Sequence, residues 1–311
     1  MGNRIRSFLG LIFDPDQRFV FMHNEGLYDK TDDRRYLKKL WKYNMGYDID
    51  LDHPVTFNEK IQWLKLNDRD PVYTTMVDKI EAKKWVADRI GDRYITPTLG
   101  VWDDPEKIDF DALPDRFVLK CNHNSGLGMC ICTDKAKLDV PAVIADLKIG
   151  LAQDYYLDYR EWAYKDVKRR ILAEEYIDAA GETGLAHGLI DYKVHCFSGE
   201  PDFIEVIGNR DHEHGTAESD IYDFEWRKPG WRFGDYPAFS EDVPRPDNLA
   251  EMYEAAKALS KQLKYARIDF YSVNSALKFG EITLYPNAGM VLYNSDYTPE
   301  TDAMLGNKIK L

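Results

Sequence analysis

The sequence predicts an α+β fold: a mainly helical N-terminal region, a small lid built on a glycine-rich hairpin, and a C-terminal antiparallel sheet. Three observations lead there. Residues 1 to about 70 carry helix-start signals, with Trp41 and Trp63 available for packing. Arg116–Lys120 and Met129–Thr133 read as strands around the loop Cys121-Asn122-His123-Asn124-Ser125-Gly126-Leu127-Gly128. Ala266–Val273 and Lys278–Leu284 read as strands joined at Asn274-Ser275, carrying Asp269 and Glu281 on either side of the turn.

Composition bounds what such a chain can do. At 311 residues it has ample length to bury a core, and 44% hydrophobic with 31% charged residues is a globular balance. A formal net charge of −13 argues against nucleic acid as a partner, since no basic excess exists to neutralise phosphates. An anion can bind only where a local cluster of Lys and Arg overrides that field. The four cysteines (Cys121, Cys130, Cys132, Cys196) form neither a C-x-x-C pair nor zinc spacing, which points to the reducing cytoplasm. Near the N-terminus the apolar run Phe8–Phe13 is too short for a signal peptide or a span, and Met1-Gly2 lacks the Ser/Thr that myristoylation needs at position 6. No transmembrane segment is expected, and at most a loose association with membrane machinery.

Taken in order, Thr56-Phe57-Asn58-Glu59 is a capping box that opens a helix. Thr75-Met76-Val77-Asp78 predicts another, running over Met76, Ile80, Val86 and Ile90 to a stop at Gly91. Ala142–Leu157 reads as helix and Ile171–Ile177 as a strand ending in acids. Asp191–Phe197 is a strand that turns at Ser198-Gly199 into Pro201–Ile207, with Asp191, Lys193, His195 and Phe197 on one face. Residues 208–247, rich in Gly, Pro and Asp, predict a long irregular connection. Asn248 with Glu251 caps an amphipathic helix over Leu249, Met252, Ala256 and Leu259.

The chemistry concentrates in the two hairpins. Glycine-exposed N–H groups and Lys120 suit phosphate oxygens. Asp269 and Glu281 on paired strands can meet as hard oxygen ligands, and magnesium favours one or two carboxylates plus phosphate and water. Lys79, Lys120, Lys193, Arg210 and Arg267 stand at loops, strand ends or a helix start. Together these suit a nucleoside triphosphate. His123 and His195 are open to acid–base work or to hydrogen bonding with phosphate or backbone. His212-Glu213-His214 has metal spacing without a nearby third ligand.

The order of these pieces resembles the ATP-grasp fold, and more narrowly the TupA-like ATP-grasp family linked to teichuronopeptide and capsular polysaccharide biosynthesis. The stretches that carry the resemblance are Thr56–Trp63, Asp78-Lys79, Phe117–His123 with Ser125-Gly126, Arg160-Glu161-Trp162, Glu174-Glu175, Asp191-Tyr192-Lys193 with Phe197 and Gly199, and Arg267-Ile268-Asp269 with Glu281-Ile282-Thr283. It covers roughly residues 35–295.

The resemblance implies two α+β subdomains clamping ATP, with the chain divided as 1–75 (N-terminal helical region), 76–177 (lid) and 178–311 (metal-bearing subdomain). It implies that Lys79, Lys120 and the loop residues His123, Asn124, Ser125, Gly126 and Gly128 contact the triphosphate. Glu174, Glu175, Tyr176 and Ile177 would form the adenine hinge through backbone groups, with Glu182 or Asp178 on the ribose. Lys193, Arg267 and Arg210 would act at the transferred phosphoryl group. Asp269 and Glu281 would hold Mg²⁺. Many relatives have Asn two positions after the second carboxylate; Thr283 stands there, so Thr283 or Asn287 would complete the site.

The implied activity is an ATP-dependent carboxylate–amine ligase. It would work through an acyl phosphate on a small-molecule or saccharide-linked carboxylate such as a uronic acid, with an amino acid or amine as acceptor. A sugar or polyol kinase on the same fold is an alternative. So is a polysaccharide-biosynthesis glycosyltransferase, whose D-x-D signature occurs at Asp14/Asp16, Asp48/Asp50, Asp68/Asp70 and Asp109/Asp111. Acceptor selection is expected from Tyr156–Lys165 and Gly208–Pro229.

Overall fold

The computed structural model describes residues 14–178, 188–211, 215–234 and 236–311. The apolar run Phe8–Phe13, Glu182 and the His212–His214 triplet lie outside the described residues.

Short polar side chains start the N-terminal helices. Helix α1 (Pro15–Asn24) is capped by Asp14, whose carboxylate accepts from the N–H groups of Asp16 and Gln17, with proline at its first position. Helix α2 (Asp33–Met45) starts on Asp32 and stops at Gly46, at φ 81°. The capping box forms at the head of α3 (Phe57–Asn67), which buries Phe57, Ile61 and Leu64.

The helix expected over 75–90 is two. Helix α4 (Val72–Val77) ends where Asp78 adopts an extended backbone. The Asp78 carboxylate then accepts from the N–H groups of Ile80 and Glu81, opening α5 (Glu81–Ile90), which Gly91 ends at φ 105°. An acid that can bond the backbone two residues ahead offers the chain a way out of the helix, and here it takes it.

Four antiparallel strands form the lid sheet: β1 (Thr98–Trp102), β2 (Phe117–Cys121), β3 (Met129–Cys132) and β4 (Ile171–Glu175), in the order β1-β4-β2-β3. Its core gathers Phe117, Leu119, Leu147, Ile171 and Ala173. The helical stretch expected over 142–157 breaks at Gln153-Asp154 into α6 (Val140–Ala152) and α7 (Tyr155–Tyr159).

The second sheet has five antiparallel strands: β5 (Asp191–Phe197), β6 (Glu200–Asp211), β7 (Thr216–Tyr222), β8 (Tyr265–Val273) and β9 (Ala276–Thr283), in the order β7-β6-β5-β8-β9. The connection expected over 208–247 thus begins as the end of one strand and a second strand, and only its later part is irregular. Glu218, Ser219 and Asp220 have weak strand propensity, and β7 at the sheet edge is ordered by pairing to β6. Helix α8 (Leu249–Ser260) covers the sheet with Leu249, Met252, Ala255, Ala256 and Leu259. Its expected cap is not made: the Asn248 amide donates to the Ser275 carbonyl, and Glu251 pairs with Arg93 and Tyr94. Helix α9 (Pro299–Gly306) closes the chain against α3 through Asp302, which accepts from the Asn58 backbone and side chain.

The larger core joins this sheet to α3, α4, α5 and α8, from Phe57 and Ile61 through Val86 to Ile268 and Phe270. Each such fully buried side chain contributes about 1.5–3 kcal/mol. Among the described residues no helix is long and apolar enough to cross a membrane.

Candidate active site

Strand register decides which side chains meet. On β5, Asp191 and Lys193 share a face; Lys193 lies opposite Asp269 on β8, and Asp269 opposite Glu281 on β9. A cation and two carboxylates therefore stand in a row across three neighbouring strands. The β8–β9 ladder shifts register just after this pair, where Gly280 is the extra residue, and such a bulge re-aims adjoining side chains. The turn between them places Asn274 and Ser275 at φ 50° and 59°, the left-handed pair that closes a tight hairpin.

The row forms the floor of a cleft of about 520 Å³ whose roof is the glycine-rich loop of the lid. From above come Lys120, Asn124, Ser125 and Gly126; from below come Asp191, Lys193, Glu205, Arg210, Arg267, Asp269 and Glu281, with Lys79 between. Five Lys or Arg and four Asp or Glu line it. A near-neutral but densely charged cleft can take a polyanion together with a cation without large net repulsion.

Asp269, 2% exposed, is the centre of this network. Arg267 donates from Nε and Nη2 to its two oxygens at 2.8 Å each, and Lys193 Nζ lies 2.5 Å from Oδ2. Burial alone raises a carboxyl's pKa; Arg267 and Lys193 overcome it and hold Asp269 down at about 2. Burial and Arg267 push Lys193 down, but the carboxylates of Asp269, Asp191 and Glu281 keep it above the ordinary lysine value. Glu281 is looser, with its side chain 35% exposed, 3.7 Å from Lys79 and 3.4 Å from Arg267. Arg210 is paired with Asp191.

Lys79 ties the loop to the sheet. Its N–H donates to the Asn122 carbonyl at 3.1 Å and its Nζ to the Asn124 carbonyl at 2.7 Å. Burial lowers its pKa against the pull of Glu281. Asn122, fully buried, locks the loop base, donating to Asp78 and accepting from the Arg170 N–H.

Several residues expected to meet the nucleotide do not line this cleft. His123 is buried with its Nε2 on the Gln153 carbonyl, and it does not line the cleft. Gly128 packs inward: a Cβ there would sit 2.7 Å from Cys121 Sγ and 3.0 Å from Gly150 Cα. Glu174 turns its carboxylate to Lys120 and Lys83, which lower its pKa despite burial. Glu175, Tyr176 and Ile177 are not among the cleft residues; Arg116 lies over the Tyr176 ring and pairs with Asp178. His195 is buried, stacked on Phe203 and bonded to the Tyr265 hydroxyl. Asp14, Asp50, Asp70 and Asp109, one from each D-x-D triplet, accept from backbone N–H groups two or three residues on, and none of these acids lines this cleft.

Among the described residues no three His, Cys, Asp or Glu side chains cluster as a metal cage. Magnesium needs none: one or two carboxylates suffice when phosphate and water fill the rest of its shell. Asp269 and Glu281, cross-strand partners on the cleft floor, fit that donor set. The Thr283 hydroxyl instead accepts from Arg267 Nη2 at 3.0 Å and lines an adjoining cleft, whereas Asn287 lines both.

That adjoining cleft, about 380 Å³, shares Lys79, Asn124, Ser125, Arg267, Glu281 and Asn287 with the first, and its own lining includes Asn44, Tyr155, Tyr159, Glu161 and Tyr164. Tyr159, Glu161 and Tyr164 fall in the stretch expected to select the acceptor. Asp191, on the strand face expected to carry Lys193, lines the cleft with it; Glu205, opposite Lys193 on β6, is a lining residue that no sequence signal marked.

The model of the family described as TupA-like ATP-grasp matches residues 59–310. Among solved structures, D-alanine–D-alanine ligase from Helicobacter pylori is 14% identical with a TM-score of 0.45, over 81% of this chain and 69% of that one. The same enzyme from Bacillus anthracis, complexed with ATP, is 18% identical with a TM-score of 0.41, over 75% and 61%. A RimK-domain ATP-grasp protein from Sphaerobacter thermophilus is 12% identical with a TM-score of 0.43, over 78% and 70%. The chain thus spans less than two thirds of the Bacillus enzyme. No curated protein matches it.

Proposed function

The chain belongs to the TupA-like ATP-grasp family, and from that premise we propose that it is an ATP-dependent carboxylate–amine ligase acting through an acyl phosphate. The observation that carries this reading is that Lys120, from the lid, and the Asp269–Glu281 pair, from the five-stranded sheet, line one cleft. A triphosphate held there meets cations from above and a carboxylate-held divalent ion from below.

In this reading Lys79 and Lys120 bind the phosphates and Asn124, Ser125 and Gly126 close over them. Lys193, Arg267 and Arg210 face the phosphoryl group in transfer. Arg267 and Lys193, now on Asp269, turn toward the incoming anion. Asp269 and Glu281, with Asn287 better placed than Thr283 as third donor, hold Mg²⁺, which supplies charge neutralisation at the phosphoryl oxygens. Donors set in a buried cleft need no reorganisation as charge develops, and each typically accounts for about 10²–10³ in rate. Glu174–Ile177 keep their proposed place as the adenine hinge through backbone groups.

The acceptor side is the adjoining cleft, reached across Arg267 and Glu281. We assign the carboxylate to the uronic-acid class, small or saccharide-linked, the amine to an amino acid, and the setting to cytoplasmic polysaccharide biosynthesis. The four unpaired thiols fit that compartment. The three-part division at 75/76 and 177/178 belongs to the same proposal, with α5 packed on the C-terminal core through Ala82 and Val86.

The test is ADP release with Mg²⁺ and ATP across glucuronate, galacturonate and the common amino acids, with mass detection of product. A hydroxamate formed in the presence of hydroxylamine supports the ligase. A stable phosphate ester formed without any amine makes the protein a kinase instead.

A further inference from the structure

Glu161 is a carboxylate whose place the phosphoryl chemistry leaves unused. It is 3% exposed, yet it lines the adjoining cleft beside Tyr155, Tyr164 and Arg267. Among the described residues its carboxylate accepts no hydrogen bond. Buried acids normally find donors, so one that lacks them while facing a cavity is poised for a ligand. Its backbone is firmly set. The preceding Arg160 adopts a left-handed conformation at φ 53°, and its guanidinium is buried over the Tyr36 ring, donating to the Tyr28 carbonyl at 2.7 Å. The Glu161 carbonyl in turn accepts from the Tyr164 N–H.

We propose that Glu161 is the general base of the second half-reaction, taking a proton from the amine that attacks the acyl phosphate. This rests on the ligase reading and adds the residue that makes the nucleophile. An amine arrives as R–NH₃⁺, with no lone pair to offer. Glu161 accepts one proton; the freed lone pair forms the C–N bond to the acyl carbon. The acyl C–O bond to phosphorus then breaks, its electron pair leaves with inorganic phosphate, and phosphate takes the second proton from nitrogen. Arg267, common to both clefts, stands where the departing phosphate needs a cation.

The surroundings suit a base. Burial raises Glu161 above the ordinary carboxyl range against the pull of Lys65 and Arg267, with Asp158 pushing the same way as burial. Lys65, also fully buried, donates to Gln62 and the Ala288 carbonyl and is itself lowered by burial. Lys79, Glu281 and Arg267 face the same cleft, together with Tyr155, Tyr159, Tyr164 and Tyr285, the tyrosines all raised by burial and therefore neutral. A carboxyl raised in this direction is a better proton acceptor than an ordinary one.

The test uses the carboxylate that releases most ADP in the screen above and compares two amines: an amino acid (an ammonium ion at pH 7) and hydroxylamine (largely unprotonated there). Glu161→Gln should slow amide formation with the amino acid by about 10²–10⁴-fold. Hydroxamate formation should stay within about threefold of wild type, since no proton need be removed before attack. Hydroxylamine turnover doubles as the check that the variant is folded. Should Glu161→Gln not fold, Glu161→Asp keeps the charge that Lys65 faces but draws the carboxylate back by one methylene, and a smaller loss confined to the amino acid is expected from it. Equal loss with both amines, or loss with neither, overturns the assignment. Wild-type protein that releases no ADP with any carboxylate overturns the ligase reading itself, a different result that needs no variant to see.

Discussion

Arg267 and Asp269 stand two residues apart on one strand, and the guanidinium of the first grips both carboxylate oxygens of the second at 2.8 Å. Lys193 reaches the same carboxylate from the neighbouring strand at 2.5 Å. A buried acid shared by two cations is a stable arrangement only while all three charges are present.

Asp269→Asn removes the charge and keeps the shape. Two buried cations then face an amide, which should cost about 3 kcal/mol of stability. ADP formation should fall by at least about 10²-fold. Thermal melting and an ADP-release assay read the two effects, and turnover like that of wild type would remove Asp269 from the site.

The same residue sets an acid limit. Its folded pKa, about 2, lies below the unfolded value of 3.8, so its contribution is full above about pH 4 and vanishes as pH falls through the folded value. The difference corresponds to about 2 kcal/mol. Urea titrations at descending pH should lose that amount between pH ~4 and ~2, and Asp269→Asn should lack this component of the decline.

Lys120→Ala should spare the fold, because Glu174 keeps Lys83 as partner. ATP binding should weaken, and ADP release should fall by about 10²-fold. Calorimetric titration with ATP separates the two; unchanged affinity and rate would show that the lid lysine serves Glu174 alone.

Two loop glycines should respond differently to alanine. At Gly128, φ is 64° and the new Cβ meets Cys121 Sγ at 2.7 Å, so Gly128→Ala should cost about 1–3 kcal/mol. At Gly126, φ is 88° with nothing within 4 Å, so Gly126→Ala should cost about 1 kcal/mol of backbone strain and act chiefly on nucleotide affinity. Melting temperatures that fall equally would contradict the inward packing of Gly128.

What the residues disclosed in order along the chain was the part governed by local rules. The capping box at Thr56, the stop at Gly91, the glycine-rich hairpin and the Asp269–Glu281 pairing all follow from neighbours a few positions apart. Where distant segments compete, local reading fails. The local bond by which Asp78 can leave its helix is made because Asn122 and Arg170, remote in sequence, also bind its carboxylate and hold it there. Strand β7 exists through pairing, against its composition. His123 and Gly128 sit in the loop with Asn124 and Gly126, yet the packing of α6 turns them from the cleft. Asn44, from α2, reaches the adjoining cleft across more than two hundred positions from Thr283, and no pattern in the chain foretells that meeting.

Lys79, Arg267, Glu281 and Asn287 form a partition common to both chambers. Whatever enters one chamber recruits these charges and so changes the potential that greets the visitor to the other. Nucleotide arriving first would draw Arg267 off Asp269 and leave the neighbouring doorway less positive; an anionic guest arriving first would meet the arginine still engaged. In the proposed reading the two ligands are therefore coupled through one shared wall, and initial-rate kinetics should show each changing the apparent affinity for the other.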